Sequence, residues 1–267
     1  MHPMLNIAVR AARAASRVIL QGYEKLDRLE TETKSANDFV TNIDKDAEQV
    51  IIEHLLKAYP DHSIVAEESG ISGADNSDYQ WIIDPLDGTT NFMRGVPHFA
   101  ISIALKYKDR LDQGLVYDPI RDELFTASRG AGAQLNGYRI RVTDKPDLAG
   151  NVLATGFPFK AKHHLPAYTA IFTDLFSQVA DMRRAGSAAL DLAYVAAGRY
   201  DGFWEIGLKP WDIAAGELIV REAGGLVCDF TGGHNHLKSG NVVAANPRIT
   251  QRLLKTMQPH LGEALKR

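Results

Sequence analysis

A layered sandwich of helices and mixed β-sheets, α/β or α+β in class, is predicted by two features of this sequence. Its first half sets helical periodicity beside short apolar runs that end in turn residues, and its second half switches to strand–helix alternation. The 267 residues, 45% apolar and 24% charged, are enough for one large domain or two modest ones with an ample core.

Taking the elements in order, Leu5, Ala8, Ala12, Ala15 and Ile19 recur at helical spacing and predict a first helix over about 4–25. Ile43, Ala47, Val50, Ile51, Leu55 and Ala58 mark a second, stopped before Pro60. SIVAEES (63–69) and YQWIIDPL (79–86) read as strands that run into acid. HFAISIALKYK (98–108), GLVYDP (114–119) and ELFTASR (123–129) read as consecutive strands, the last two a hairpin across 118–122. DKPDLAG (144–150) combines proline, glycine and charge and predicts the boundary between two lobes of one domain, 1–145 and 146–267. Beyond it come a strand at 151–157, a helix near 166–178 and a helix at 187–198 stopped by Gly198. DGFWEIG is a strand, and WDIAAGELIVREAGG a helix closed by Gly224-Gly225. GLVCDF and NVVAAN are strands, and a last helix ends the chain. There are no repeats and no low-complexity tract.

Bulk properties exclude several classes. A net charge of −3 gives no basic field to draw the chain onto nucleic acid or acidic lipid. The single Cys228 cannot make an internal disulfide framework and fits a reducing compartment. No apolar run approaches the ~18 residues of a membrane span. The N-terminus carries Arg10, Arg13 and Arg17 throughout and lacks the order of a secretion signal, so a cytoplasmic protein is expected.

The informative stretch is WIIDPLDGTTNF (81–92), an apolar run that ends in Asp84 and Asp87, with a glycine turn and two hydroxyls behind them. Asp-Pro and Asp-Gly are ordinary turn dipeptides, and a solvated turn is the plain reading. The functional one rests on company: Glu67, Glu68 and Glu205 also follow strands, and Asp212 opens a helix. Ligands in open α/β sheets gather at the C-terminal ends of strands, and Thr89-Thr90-Asn91 could open a short helix whose N–H groups suit a phosphate. If these acids converge, two carboxylates ~4 Å apart repel by about 4 kcal/mol at an effective dielectric near 20. A cation removes that penalty. An all-oxygen set without Cys or His at matched spacing asks for a hard ion, Mg²⁺ first, which keeps its waters and substrate phosphates. Phosphate chemistry follows.

DPLDGTTNF (84–92), GSAALDLAYVAAGRYDGFWE (186–205), WDIAAGELIVREAGG (211–225), KSANDFVTNIDKDAE (34–48) and AEESG (66–70) closely resemble the signature regions of the inositol monophosphatase family, over essentially the whole chain. That is a lithium-sensitive, Mg²⁺-dependent group with the fructose-bisphosphatase-like αβαβα fold. The resemblance implies that Glu67, Asp84 and the carbonyl of Leu86 hold a first Mg²⁺. It implies that Asp84, bridging, with Asp87 and Asp212 holds a second, and that a third, weaker ion sits near Glu67. An Asp-x-x-Asp turn suits a bridged ion pair, and Pro85, forcing the chain out of helix, leaves the Leu86 carbonyl free.

The same resemblance gives Asp44 and Thr89 the positioning of an attacking water, with Glu67 beside them in catalysis. Thr41-x-x-Asp44 also reads as a capping box of the second helix, and Thr89 as turn chemistry. Phosphate is placed on the N–H groups of Gly88 and Thr89 and beside Asp87; Glu205 and Asp212 take substrate hydroxyls. Gly186, Ser187 and Ala188 line the pocket, although Ser187 is equally a helix N-cap. Lys34 matches a basic residue near the metals, or makes an exposed salt bridge. A substrate-contacting serine of the animal enzymes has no equivalent in LATGFPFKAK (153–162).

The implied activity is hydrolysis of inositol 1-phosphate and similar polyol monophosphates by a homodimer, without a phospho-enzyme. Fructose bisphosphate or nucleotide 3′-phosphates are alternatives within the superfamily, which Lys160, Lys162, Arg183 and Arg184 leave open. Bacterial members also associate with the Nus-factor complex of RNA polymerase in antitermination on ribosomal RNA operons; the acidic net charge favours a protein partner there over direct RNA contact. The remaining candidates are read as structural. His163-His164 and His234-x-His236 fall in polar loops, Cys228 packs as a small hydrophobe, and Arg183-Arg184 serve an interface or salt bridges without a catalytic part.

Overall fold

The computed structural model describes residues 1–35 and 38–266, with the backbone alone described at 33–35 and 38–39. Helix α1 (Pro3–Tyr23) opens the chain; strands β1 (Thr31–Ser35) and β2 (Asp38–Thr41) form a small hairpin, and α2 (Asn42–Ala58) follows. Next come β3 (Ser63–Ala66), β4 (Gly70–Gly73), β5 (Tyr79–Asp87), the short α3 (Thr89–Met93), β6 (Ala100–Tyr107), β7 (Arg110–Asp118), β8 (Glu123–Ser128), β9 (Gly132–Leu135) and β10 (Tyr138–Arg139). These strands, β3 to β10, make an eight-stranded sheet in the order β10-β9-β8-β7-β6-β5-β3-β4, antiparallel except where β3 runs beside β5.

The rest of the chain holds β11 (Val152–Thr155), α4 (Leu165–Phe176), β12 (Asp181–Arg183), α5 (Ala188–Ala196), β13 (Gly202–Glu205), α6 (Pro210–Glu222), β14 (Leu226–Cys228), α7 (His236–Ser239), β15 (Val242–Ala245) and α8 (Pro247–Met257). Its five strands form a second mixed sheet, β12-β11-β13-β15-β14, parallel across β12-β11-β13.

Five layers follow from strand alternation, since successive side chains face opposite sides of a sheet. On β5, Trp81 and Ile83 pack with Ile19 of α1 and Ile51 of α2, whereas Ile82 packs inward with α5 and α6. On β13, Phe203 joins that central helical layer, and Trp204 turns outward to Tyr168 of α4 and Leu253 of α8. The order is therefore helix pair, eight-stranded sheet, helix pair, five-stranded sheet, helix pair: the αβαβα sandwich that the sequence predicts. The central pair is rich in alanine and leucine and buried on all sides, which is why it reads as continuously apolar.

Short pieces escape the sequence reading. The β1–β2 hairpin, the two residues of β10 and the three of β12 carry no periodicity long enough to detect. No described helix is long and apolar enough to cross a membrane.

Candidate active site

The strand β5 builds the core of the site by an irregularity. Asp84 pairs with Ser102 and Asp87 with Ala100, so three steps on β5 oppose two on β6. In a regular strand, residues three apart point to opposite faces; the extra residue at Pro85-Leu86 brings both carboxylates to one side. Proline suits this bulge because it has no N–H to leave unpaired. The turn is held by Asp84 itself, whose Oδ1 accepts from Leu86 N at 2.9 Å.

Asp212, in the first turn of α6, joins the pair. One carboxylate oxygen from each of Asp84, Asp87 and Asp212 lies within 4.8 Å of the others. Asp212 is fixed by its second role, accepting from Lys209 N at 2.7 Å. Glu67 leaves β3 at the parallel neighbour of β5 and lines the same cavity, outside the tight triplet.

Crowding raises these acids together. Burial, then Glu67, Asp87 and Asp212, hold the Asp84 carboxyl well above its ordinary range. Burial and Asp212 push Asp87 up to about 7. Burial raises Asp212, opposed by hydrogen bonds from Lys209 N and Asp84 and by the charges of Lys160 and Lys209. Oxygen donors this close and this reluctant to ionise fit a small hard cation, which would let them ionise together.

Asp44 is buried and uses both carboxylate oxygens. Its Oδ2 accepts from Thr41 N at 2.8 Å and completes the capping box of α2. Its Oδ1 accepts from Thr89 Oγ1 at 3.0 Å. Thr89 Oγ1 also lies 3.1 Å from the carbonyl of Leu86, which has two lone pairs and so keeps one for another partner. A hydroxyl carries one proton, so these are competing acceptors.

Gly88 turns the chain between β5 and α3 at φ +101°, where a Cβ would stand 3.1 Å from the carbonyl of His98. Asn91 Nδ2 then donates to His98 O at 2.8 Å and to Ala185 O at 2.9 Å, clipping this turn to the segment before α5. Ser187 acts as N-cap of α5 and donates to Asp87 as well. Gly186 and Ala188 line the cavity, as does Glu205 at the end of β13. Burial, Asp212 and Asp87 hold Glu205 well above its usual range.

The cavity is about 410 Å³, and besides these residues it is lined by Gly156, Phe159, Lys160, Lys162, Arg184, Asp191 and Leu208. One of its features was missed in the sequence and another was only partly read. A Cβ on Gly156 would fall 2.1 Å from the Glu205 carboxylate, so only glycine leaves room for that acid. Arg184, read as an interface or salt-bridge residue or as a basic residue for a further phosphate, lines the cavity with its guanidinium 5.0 Å from the Phe157 ring. Its neighbour Arg183 does pair outside, with Asp181.

The remaining histidines divide. His163 and His164 stay at the surface of the loop before α4. His236, read as part of a polar loop, is instead buried in α7, with Nε2 2.8 Å from Glu217 Oε2 on α6. Cys228 is buried among apolar neighbours in β14, and burial pushes its thiol up to about 11. The side chain of Lys34 lies outside the described residues.

Comparison with known proteins identifies the family and the fold. The Nus factor SuhB of Escherichia coli K12 is 61% identical over the full length of both chains. The solved structure of extragenic suppressor protein SuhB from Bartonella henselae is 42% identical, covers 97% of this chain and 100% of its own, and superimposes with a TM-score of 0.94. Inositol monophosphatase from Anabaena sp. PCC 7120 is 37% identical over 96% of this chain and 95% of its own, with a TM-score of 0.84. Residues 1–261 match the sequence pattern of the inositol monophosphatase family, to which this chain belongs.

Proposed function

We propose that this protein hydrolyses inositol 1-phosphate and similar small polyol monophosphates with Mg²⁺, held by Glu67, Asp84, the carbonyl of Leu86, Asp87 and Asp212. The observation that carries the reading is the triplet of carboxylate oxygens within 4.8 Å of one another. Mg²⁺ bound there would supply Lewis-acid activation of phosphoryl oxygen and water and would offset charge on the departing alkoxide.

The chain's own residues do the rest. With its proton given to Asp44, Thr89 keeps oxygen lone pairs that can accept from water and aim it. Glu67 stands beside the triplet as the fourth acid of this wall. The N–H groups of Gly88 and Thr89 open toward the phosphate, while Glu205, Asp212, Gly186, Ser187 and Ala188 surround the alcohol. Lys160, Lys162 and Arg184 give the mouth of an otherwise acidic cavity a positive side that draws the dianionic ester.

Release of phosphate from inositol 1-phosphate tests the reading. The expected result is turnover with Mg²⁺, none in EDTA, and none in Asp87→Asn at wild-type melting temperature. Inactivity toward every small phosphate monoester at saturating Mg²⁺ refutes it.

A second reading rests on the end-to-end 61% identity with a protein named Nus factor SuhB: a protein-binding role beside RNA polymerase and Nus factors in transcription antitermination. Capture of purified RNA polymerase by wild type and by Asp87→Asn separates the roles; retention in both makes binding independent of catalysis. A cytoplasmic, lithium-sensitive homodimer belongs to the first reading, and light scattering checks its mass.

A further inference from the structure

Asp191 is a buried acid for which the mechanism above has no task. It stands on α5 on the same side as Ser187 and Ala188, because residues three and four apart share one face of a helix. Ala188, Asp191 and Glu205 all line the cavity, the first two from α5 and the third from the end of β13. Asp191 is 1% exposed, and its Oδ1 finds no hydrogen-bond partner among the described residues.

A structural role does not account for it. An acid in the first turn of a helix gains from the helix dipole, but the dipole gives no donor to an oxygen shut away from solvent. The surroundings aggravate the burial. Besides desolvation, Glu205 and Asp87 push its carboxyl well above the usual range, with Arg184 the opposing charge. Asp87 is already engaged by Ser187 Oγ and Ala189 N, and Asp212 by Lys209 N. Asp191 keeps its acceptor.

We propose that Asp191, together with Glu205, is a specificity-determining residue that accepts hydrogen bonds from neighbouring hydroxyls of the leaving alcohol, so that polyol monophosphates are selected over esters without hydroxyls. The inference rests on the phosphatase reading and adds a residue and a criterion to it. A site built to bond a hydroxyl discriminates against the analogue lacking it, because its own buried polar group is then left unpaired.

The test is the ratio of kcat/KM for inositol 1-phosphate to kcat/KM for p-nitrophenyl phosphate, at saturating Mg²⁺, in wild type, Asp191→Ala and Asp191→Asn. The ratio is expected to fall at least tenfold in Asp191→Ala, mostly through KM for the polyol. Asp191→Asn keeps an amide oxygen as acceptor and should fall between the two. A ratio within threefold of wild type in both variants, or equal losses on both substrates, overturns the proposal and leaves the phosphatase reading intact. A wild-type protein that hydrolyses neither ester defeats the phosphatase reading itself, and this inference with it. Thermal melting accompanies each variant; if Asp191→Ala does not fold, Asp191→Asn decides at a threefold drop.

Discussion

Ser187 Oγ donates to Asp87 Oδ2 at 2.6 Å, and Ala189 N donates to the same oxygen at 2.7 Å. A strand-end acid of the eight-stranded sheet is thereby tied to the first turn of a central helix, by residues 100 and 102 positions away. The positive end of α5 faces the carboxylate, which suits an anion. Ser187→Ala removes one donor to a charged acceptor and the N-cap of α5 together. The expected loss of stability is about 1–3 kcal/mol, read by denaturant unfolding. The Mg²⁺ concentration for half-maximal phosphate release should rise several-fold, because Asp87 is then less well aimed.

Thr89 and Asp44 make a second coupled pair. Thr89→Val keeps the shape and deletes the hydroxyl that bonds Asp44, and should lower kcat by roughly 10²–10⁴ with a small change in KM, as loss of a proton-handling group does. Asp44→Asn should be equally slow and also less stable, by about 1 kcal/mol, since the carboxylate completes the cap of α2. Steady-state kinetics with thermal melts distinguishes the two variants.

Gly156→Ala would set a methyl group 2.1 Å from the Glu205 carboxylate. The acid has to move, and overpacking of this kind costs about 1–3 kcal/mol. KM for inositol 1-phosphate should rise more than kcat falls, because the displaced acid lies on the alcohol side of the cavity. Unchanged kinetics would remove Glu205 from substrate binding.

The metal-free protein should lose stability as pH rises. Burial and Asp212 hold Asp87 up to about 7 against an ordinary value of 3.8. A carboxyl that binds its proton more tightly folded than unfolded stabilises the fold fully below the unfolded value and loses that contribution as pH climbs through the folded one. Asp84 and Asp212 are raised in the same direction. Melting temperature in EDTA should therefore fall between about pH 4 and pH 7, and saturating Mg²⁺ should flatten the slope.

Much of this was legible before the fold was known. The helices at 3–23, 42–58 and 210–222 carry either long periodicity or clear stops, and Asp84 and Asp87 stand out because acids interrupt an apolar strand. What made Asp84 and Asp87 share a face was a bulge, which no local pattern shows. Asp44 reads in sequence as the capping box of α2, which one oxygen completes, while the contact of the other with Thr89 needed the fold to bring 44 and 89 together. Arg184 admits two sequence readings, an interface or salt-bridge residue or a basic residue for a further phosphate, and only the fold, which lays the segment before α5 over the acids, shows that it lines the cavity. His236 was misplaced for the same reason: its partner Glu217 lies on another helix, 19 residues upstream. Gly156 and Asp191 depend wholly on which side chains meet them across the cavity.

Calorimetric titration of Mg²⁺ into metal-free protein is the most direct measurement. Binding in wild type, lost or severely weakened in Asp84→Asn and Asp212→Asn variants that still melt cooperatively, is the predicted result. Undiminished Mg²⁺ binding in both variants would mean that the ion is held elsewhere, and the three crowded carboxylates would need another explanation.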